Sequence, residues 1–189
     1  MKTHLLKATP ETCHWGFLDG SLKPVLSVES GDQVTIQCVT CLPEWMPSKE
    51  SGFEILPELP EIHQKVKKGT GAHIFTGPVA VNGARVGDVL EVKIQEITIR
   101  QNWGWNRIRP LAGALPDDFK TERLLNIPLD RQRHVGKLPW GLDLPLKPFF
   151  GVMGVAPPPE WGRIIWPFRM TPRCCTPGST ARRRWCAST

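Results

Sequence analysis

The sequence has no run of 18 apolar residues, which argues against a membrane-spanning helix. Nor does the stretch from Met1 to Pro10 hold the apolar core of a secretory signal. Without export to an oxidising compartment, the six cysteines read as reduced thiols of a cytoplasmic protein rather than as a disulfide framework. Cys38 and Cys41 form one CxxC, but no second CxxC or HxxxH follows at zinc-knuckle spacing, so a structural role for these thiols is the expectation. Acidic residues are missing from Ile165 to Thr189, where five arginines supply five of the six net positive charges. The body of the chain is therefore nearly neutral, and nucleic-acid binding rests on that tail alone. The tail, residues 165–189, is expected to be basic, cysteine-containing and disordered. No internal repeat is visible.

What the chain does have is 40% hydrophobic and 22% charged residues, ordinary globular usage, with Pro and Gly making up about a fifth of it. Such punctuation favours many turns and short strands. The expected fold is mainly β and β-sandwich-like, with long loops and few short helices, in one domain over residues 1–164. Pro24 to Val39 alternates β-branched and polar residues about Ser30-Gly31-Asp32, which predicts a β-hairpin. Residues 42–68 carry Pro43, Pro47, Pro57 and Pro60 and read as a long loop with a helical turn near Ile62 to Val66. Strands are predicted at Pro78 to Val81 and Val89 to Ile99, flanking turns at Asn82-Gly83 and Gly87-Asp88. In the latter strand Leu90, Val92 and Ile94 share one face, and the change of phase at Ile97 implies a bulge near Gln95 or Glu96. Trp103 and Trp105 read as packing over a sheet edge, and the apolar segment from Leu144, broken by Gly151 and Gly154, as an inward-facing strand.

Three segments are more specific. They are His14-Trp-Gly-Phe-Leu-Asp19 with Lys23 to Val34, then Gly71-Ala-His73-Ile-Phe-Thr-Gly-Pro through Val92, and Pro148-Phe-Phe-Gly-Val-Met-Gly-Val-Ala-Pro157. In order and spacing they resemble the acetamidase/formamidase family. The resemblance implies a β-sandwich hydrolase cleaving the C–N bond of short linear amides, formamide or acetamide, to a carboxylate and ammonia. It also implies a homo-oligomer. The family continues past this length with a His-Gly-Gly-Asn-x-Asp segment soon after the match to Gly162-Arg163-Ile164. Here Ile165 to Cys186 replaces it, which reads as a truncation or frame shift near residue 165.

Amide hydrolysis needs an activated water or nucleophile, oxyanion stabilisation and a proton for the leaving ammonia. His14 and His73 are the imidazole candidates, Asp19 an orienting carboxylate, and Glu44 a further acid or base. His14, Asp19 and His73 also form a tentative ligand set for a divalent metal such as zinc. Thr76, Gly77, Phe150 and Gly151 are the substrate-binding candidates. The alternative is a non-catalytic β-sandwich fragment serving as a binding module, in which the same residues serve folding alone.

Overall fold

The computed structural model describes residues 1–71, 73–85, 87–165 and 184–188. In chain order the strands are β1 (Thr3–Leu6), β2 (Cys13–Trp15), β3 (Phe17–Asp19), β4 (Leu26–Val28), β5 (Gln33–Ile36), β6 (Ile74–Val81) and β7 (Trp103–Ile108). They continue with β8 (Arg123–Asp130), β9 (Val135–Lys137), β10 (Asp143–Pro145), β11 (Val152–Val155), β12 (Arg163–Ile165) and β13 (Arg184–Ser188). One α-helix, α1 (Glu58–Lys65), and three short 3₁₀ turns complete the described elements. The fold is mainly β, in several sheets, as the Pro/Gly-rich composition implies.

The chain divides into two units, neither continuous in sequence. Met1–Leu42, Pro57–Gln95 and Phe149–Thr189 form the first; Pro43–Leu56 and Glu96–Pro148 form the second. Of the expected disordered tail, residues 166–183 and 189 lie outside the described residues, while Arg184–Ser188 forms a strand.

The first unit is organised by β6. Its residues Ile74 to Ala80 take no polar residue except Thr76, and Ile74, Phe75, Thr76 and Val79 are fully buried. Continuous burial without alternation marks a strand covered on both faces. β2 and β13 pair antiparallel with β6, β4 pairs with it in parallel, and β11 pairs with β13. Leu6, Val28, Cys38 and Val79 form one core cluster, against which Leu26, Val34, Ile36, Leu90, Phe150 and Met153 pack. A second cluster joins Leu18, Phe75 and Val152. Cys13, Cys38 and Cys41 are buried and take part in no disulfide among the described residues. In α1, Leu59 and Ile62 fall one turn apart on its apolar side and are fully buried, so the predicted helical turn grows into eight residues.

Two strand predictions need correction. The strands flanking Ser30-Gly31-Asp32 do not form a hairpin: β4 runs parallel to β6, while β5 runs parallel to β1. The cause is Asp32, whose carboxylate accepts bonds from the Glu29 amide at 3.1 Å, the Lys2 amide at 2.7 Å and the His4 ring at 3.0 Å. That clamp turns the chain away from β4 and seats β1 beside β5. The predicted strand Val89 to Ile99 is not a strand among the described residues, and the bulge near Gln95 has no ladder to interrupt. Alternation reports which side of an extended chain is apolar; it does not supply a partner strand.

The second unit is the antiparallel sheet β10-β9-β8-β7, packed on the 43–56 segment. Trp103 is fully buried, its indole N–H donating to the Glu54 carbonyl at 2.9 Å, which bears out a packing role. Trp105 meets Trp45 at 4.6 Å between ring centroids, and the Arg107 guanidinium lies over Trp45. No described helix is long and apolar enough to cross a membrane.

The three bonds onto Asp32, the Lys2 amide first, hold its carboxyl far below the usual carboxylate range. A depressed carboxylate contributes stability above its unfolded pKa of about 4, and that contribution is lost as pH falls through the folded value. Asp32→Asn is therefore expected to lower Tm by a few degrees at pH 7. The difference should shrink progressively in melts taken below about pH 4.

Candidate active site

The β2–β6 ladder brings the two candidate imidazoles together. Cys13, His14 and Trp15 pair with Thr76, Phe75 and Ile74, so His14 stands directly across from Phe75. His73 lies two residues before Phe75 and so shares its face. The His14 ring stacks on Phe75 at 5.6 Å and 19°, and the His73 ring meets the same phenyl at 6.3 Å and 39°. Phe75, fully buried, thus meets both imidazole rings.

The chain leading into His73 is held by close backbone contacts. The His73 carbonyl accepts the Gly16 amide at 2.9 Å, and the Trp15 indole donates to the Gly71 carbonyl at 3.0 Å. Gly16, at φ 82°, has no room for a side chain: a Cβ would sit 2.5 Å from the Thr70 carbonyl oxygen. Gly16 and Gly69, the latter against the Trp15 carbonyl, therefore let two backbone segments touch.

His14 is electrostatically unusual. Both its ring nitrogens are buried and neither makes a well-aligned hydrogen bond among the described residues, although the backbone at Gly77 and Phe17 lies close enough to act on the ring as weak hydrogen bonds. Burial lowers its pKa, and this outweighs the raising effects of nearby Gly77, Asp19 and Phe17. Burial also lowers the pKa of His73. Both rings are consequently biased toward the neutral form near pH 7, the form that accepts a proton.

Asp19 does not orient His14. Its Oδ1 accepts the Ser21 amide at 2.8 Å and the Ser21 hydroxyl at 2.6 Å, and its Oδ2 accepts Arg163 Nε at 2.8 Å. Burial raises the Asp19 pKa, but the bonds from Ser21 and Arg163 together reverse that and keep it ionised. With its lone pairs committed to a cation and a turn, the carboxylate is a poor metal ligand. Among the described residues no three His, Cys, Asp or Glu side chains gather as a metal-holding group, so the set His14, Asp19 and His73 does not fit a metal.

The remaining candidates are divided. The Thr76 hydroxyl donates to the Gln37 carbonyl at 2.8 Å and the Gly77 amide to the Thr12 carbonyl at 2.9 Å, so both are committed to the fold. Phe150 is half-buried against the core and Gly151 is exposed just before β11. Glu44 lies in a 3₁₀ turn of the second unit. Phe75 and Arg163 were not singled out from sequence. The His-x-Phe alternation at 73–75 carries the signal for Phe75; Arg163 meets Asp19 only through the β12–β3 pairing, across 144 residues of chain.

A mainly β fold with two neutral imidazoles on one strand pair defines the class of this protein only broadly. Its family is specific: the acetamidase/formamidase family model matches residues 18–163, and the chain belongs to that family. Three solved structures share the fold. They are a predicted acetamidase/formamidase from Thermoanaerobacter tengcongensis (21% identity, TM-score 0.72) and acetamidases from Bacillus halodurans (22%, 0.61) and Yersinia enterocolitica (20%, 0.60). The alignments cover 100%, 97% and 97% of this chain but 61%, 60% and 59% of those chains, so this chain spans about three-fifths of their length. No curated protein matches the sequence.

A buried polar ring without hydrogen bonds costs about 1–3 kcal/mol per unsatisfied group. Replacing His14 by an apolar ring of similar shape removes that cost. His14→Phe is expected to melt at the wild-type Tm or a few degrees above it, whereas a fall of more than about 5 °C would show that the imidazole is satisfied in solution.

Proposed function

We propose that this chain carries amide-hydrolase chemistry toward short linear amides such as formamide and acetamide. The supporting observation is the pair of imidazoles that both meet the Phe75 ring, each biased toward its neutral form by burial. Keeping an unpaired His14 inside the protein opposes stability, and such a cost is typical of functional positions.

His73 is half-buried while both His14 ring nitrogens are buried, so in this reading His73 is the imidazole that meets water. In this reading the neutral His73 accepts a proton from water as the water oxygen bonds to the amide carbonyl carbon. The C–N bond then breaks as the imidazolium returns that proton to the departing nitrogen, releasing ammonia and the carboxylic acid. Phe150 and Gly151 stand as substrate-side residues. The buried thiols Cys13, Cys38 and Cys41, outside any disulfide among the described residues, favour a reducing, cytoplasmic setting, and the family favours a homo-oligomer.

A second reading has support of its own. The committed Thr76 hydroxyl and Gly77 amide, the occupied Asp19 carboxylate and the sealed His14 nitrogens fit a non-catalytic β module.

Ammonia release from formamide and acetamide by the whole chain separates the two readings. The hydrolase reading expects release that falls by about 10²-fold or more in His73→Ala. Because burial lowers the imidazole pKa, the neutral base persists below pH 6.5, and the acid limb of the rate profile should have its midpoint below that value. No release from folded protein, or release indifferent to His73, would establish the non-catalytic module.

A further inference from the structure

Residues 89–99 run without a helix, strand, turn or bend, and none of their backbone groups bonds to another backbone group among the described residues. A chain whose amides take no backbone partner, and whose Lys93 carbonyl meets only the Gln95 side-chain amide at 3.5 Å, is a template for strand addition. Leu90 packs on the first unit's core, anchoring the segment, while Val89, Val92 and Ile94 are exposed at 90%, 39% and 52%. Glu91 and Lys93 lie 3.5 Å apart on the other side of the chain, both largely exposed, as period-2 alternation requires.

The pattern of this segment is complementary to itself in one antiparallel register. Directly opposed residues of a two-fold pair must point to the same face, so the axis must pass through a residue of the segment. Centred on Val92, Leu90 faces Ile94 of the second copy, Val92 faces Val92, and each Glu91 faces a Lys93. Centred on Glu91 or Lys93, like charges meet; centred on Ile94, Val92 faces Glu96. In the Val92 register the ladder ends where Asp88 would face Glu96. Opposite charges across a ladder stabilise it and like charges destabilise it, so the charge pattern selects this one pairing.

We propose that a second copy of this chain docks on residues 89–95 as an antiparallel strand centred on Val92, giving a two-fold dimer. The interface supplies the partner that the strand-like alternation of this segment calls for. It is independent of the amide chemistry, since none of its residues belongs to the candidate site.

The test is the solution mass of the full chain by sedimentation equilibrium, for wild type, Glu91→Lys, Lys93→Glu and an equimolar mixture of the two variants. Both side chains are more than 70% exposed, so neither change disturbs packing, and circular dichroism checks the fold. Wild type is expected to be a dimer. Each variant alone sets like charges opposite one another in both pairs and should dimerise at least about tenfold more weakly. The mixture sets the two lysines of one copy against the two glutamates of the other, and should restore the dimer. A wild-type monomer, the result if another part of the chain covers this segment, would overturn the proposal. So would variants that dimerise like wild type, a mixture that stays monomeric, or open-ended assembly in place of a closed dimer.

Discussion

The burial of β6 on both faces is the constraint from which the first unit follows. A strand whose side chains all leave water must also satisfy every amide and carbonyl, because an unpaired buried backbone group costs about as much as a lost hydrogen bond. β6 meets that demand by drawing β2 and β13 antiparallel and β4 parallel to itself. Phe75 and Val79 then carry the two core clusters on this strand. The register with β2 is also what sets His14 across from Phe75, so the candidate site is a by-product of the core's own pairing.

Against that apolar background, polar groups fall into two kinds. Asp19, Asp32 and Thr76 are fully engaged, with amides, hydroxyls, a guanidinium or a backbone carbonyl meeting their oxygens, and they behave as fasteners between distant segments. His14 is different: its ring stacks on Phe75 and neither nitrogen, though buried, makes a well-aligned hydrogen bond among the described residues. The fold could place a phenyl ring there with less expense. An imidazole kept unpaired in the core is hard to account for by stability, and this asymmetry separates His14 from the merely structural polar residues.

Local chemistry was legible in the sequence wherever neighbours along the chain decide the outcome. The turns at Asn82-Gly83 and Gly87-Asp88, the helical turn that becomes α1, the strand at Pro78 to Val81 and the packing of Trp103 all follow from near-neighbour patterns. The family too was legible, from three motifs in register. Pairing was not. The Ser30-Gly31-Asp32 stretch looks like a hairpin turn until Asp32 is seen to hold Lys2 and His4, residues 30 and 28 positions away. Val89 to Ile99 has the alternation of a strand without a partner among the described residues, and Asp19 looks free until β12 brings Arg163 beside it. Sequence pattern reports exposure and conformation; partner choice is a property of the whole fold.

Burial beside Phe75 biases both imidazoles toward the neutral form where a base is needed. Nitrogen-15 NMR of the histidine rings through a pH titration measures this directly, residue by residue. His14 and His73 are expected to titrate with midpoints below 6.5. A midpoint at or above 6.5 for both rings would contradict it, since the site would then hold cations rather than bases at neutral pH.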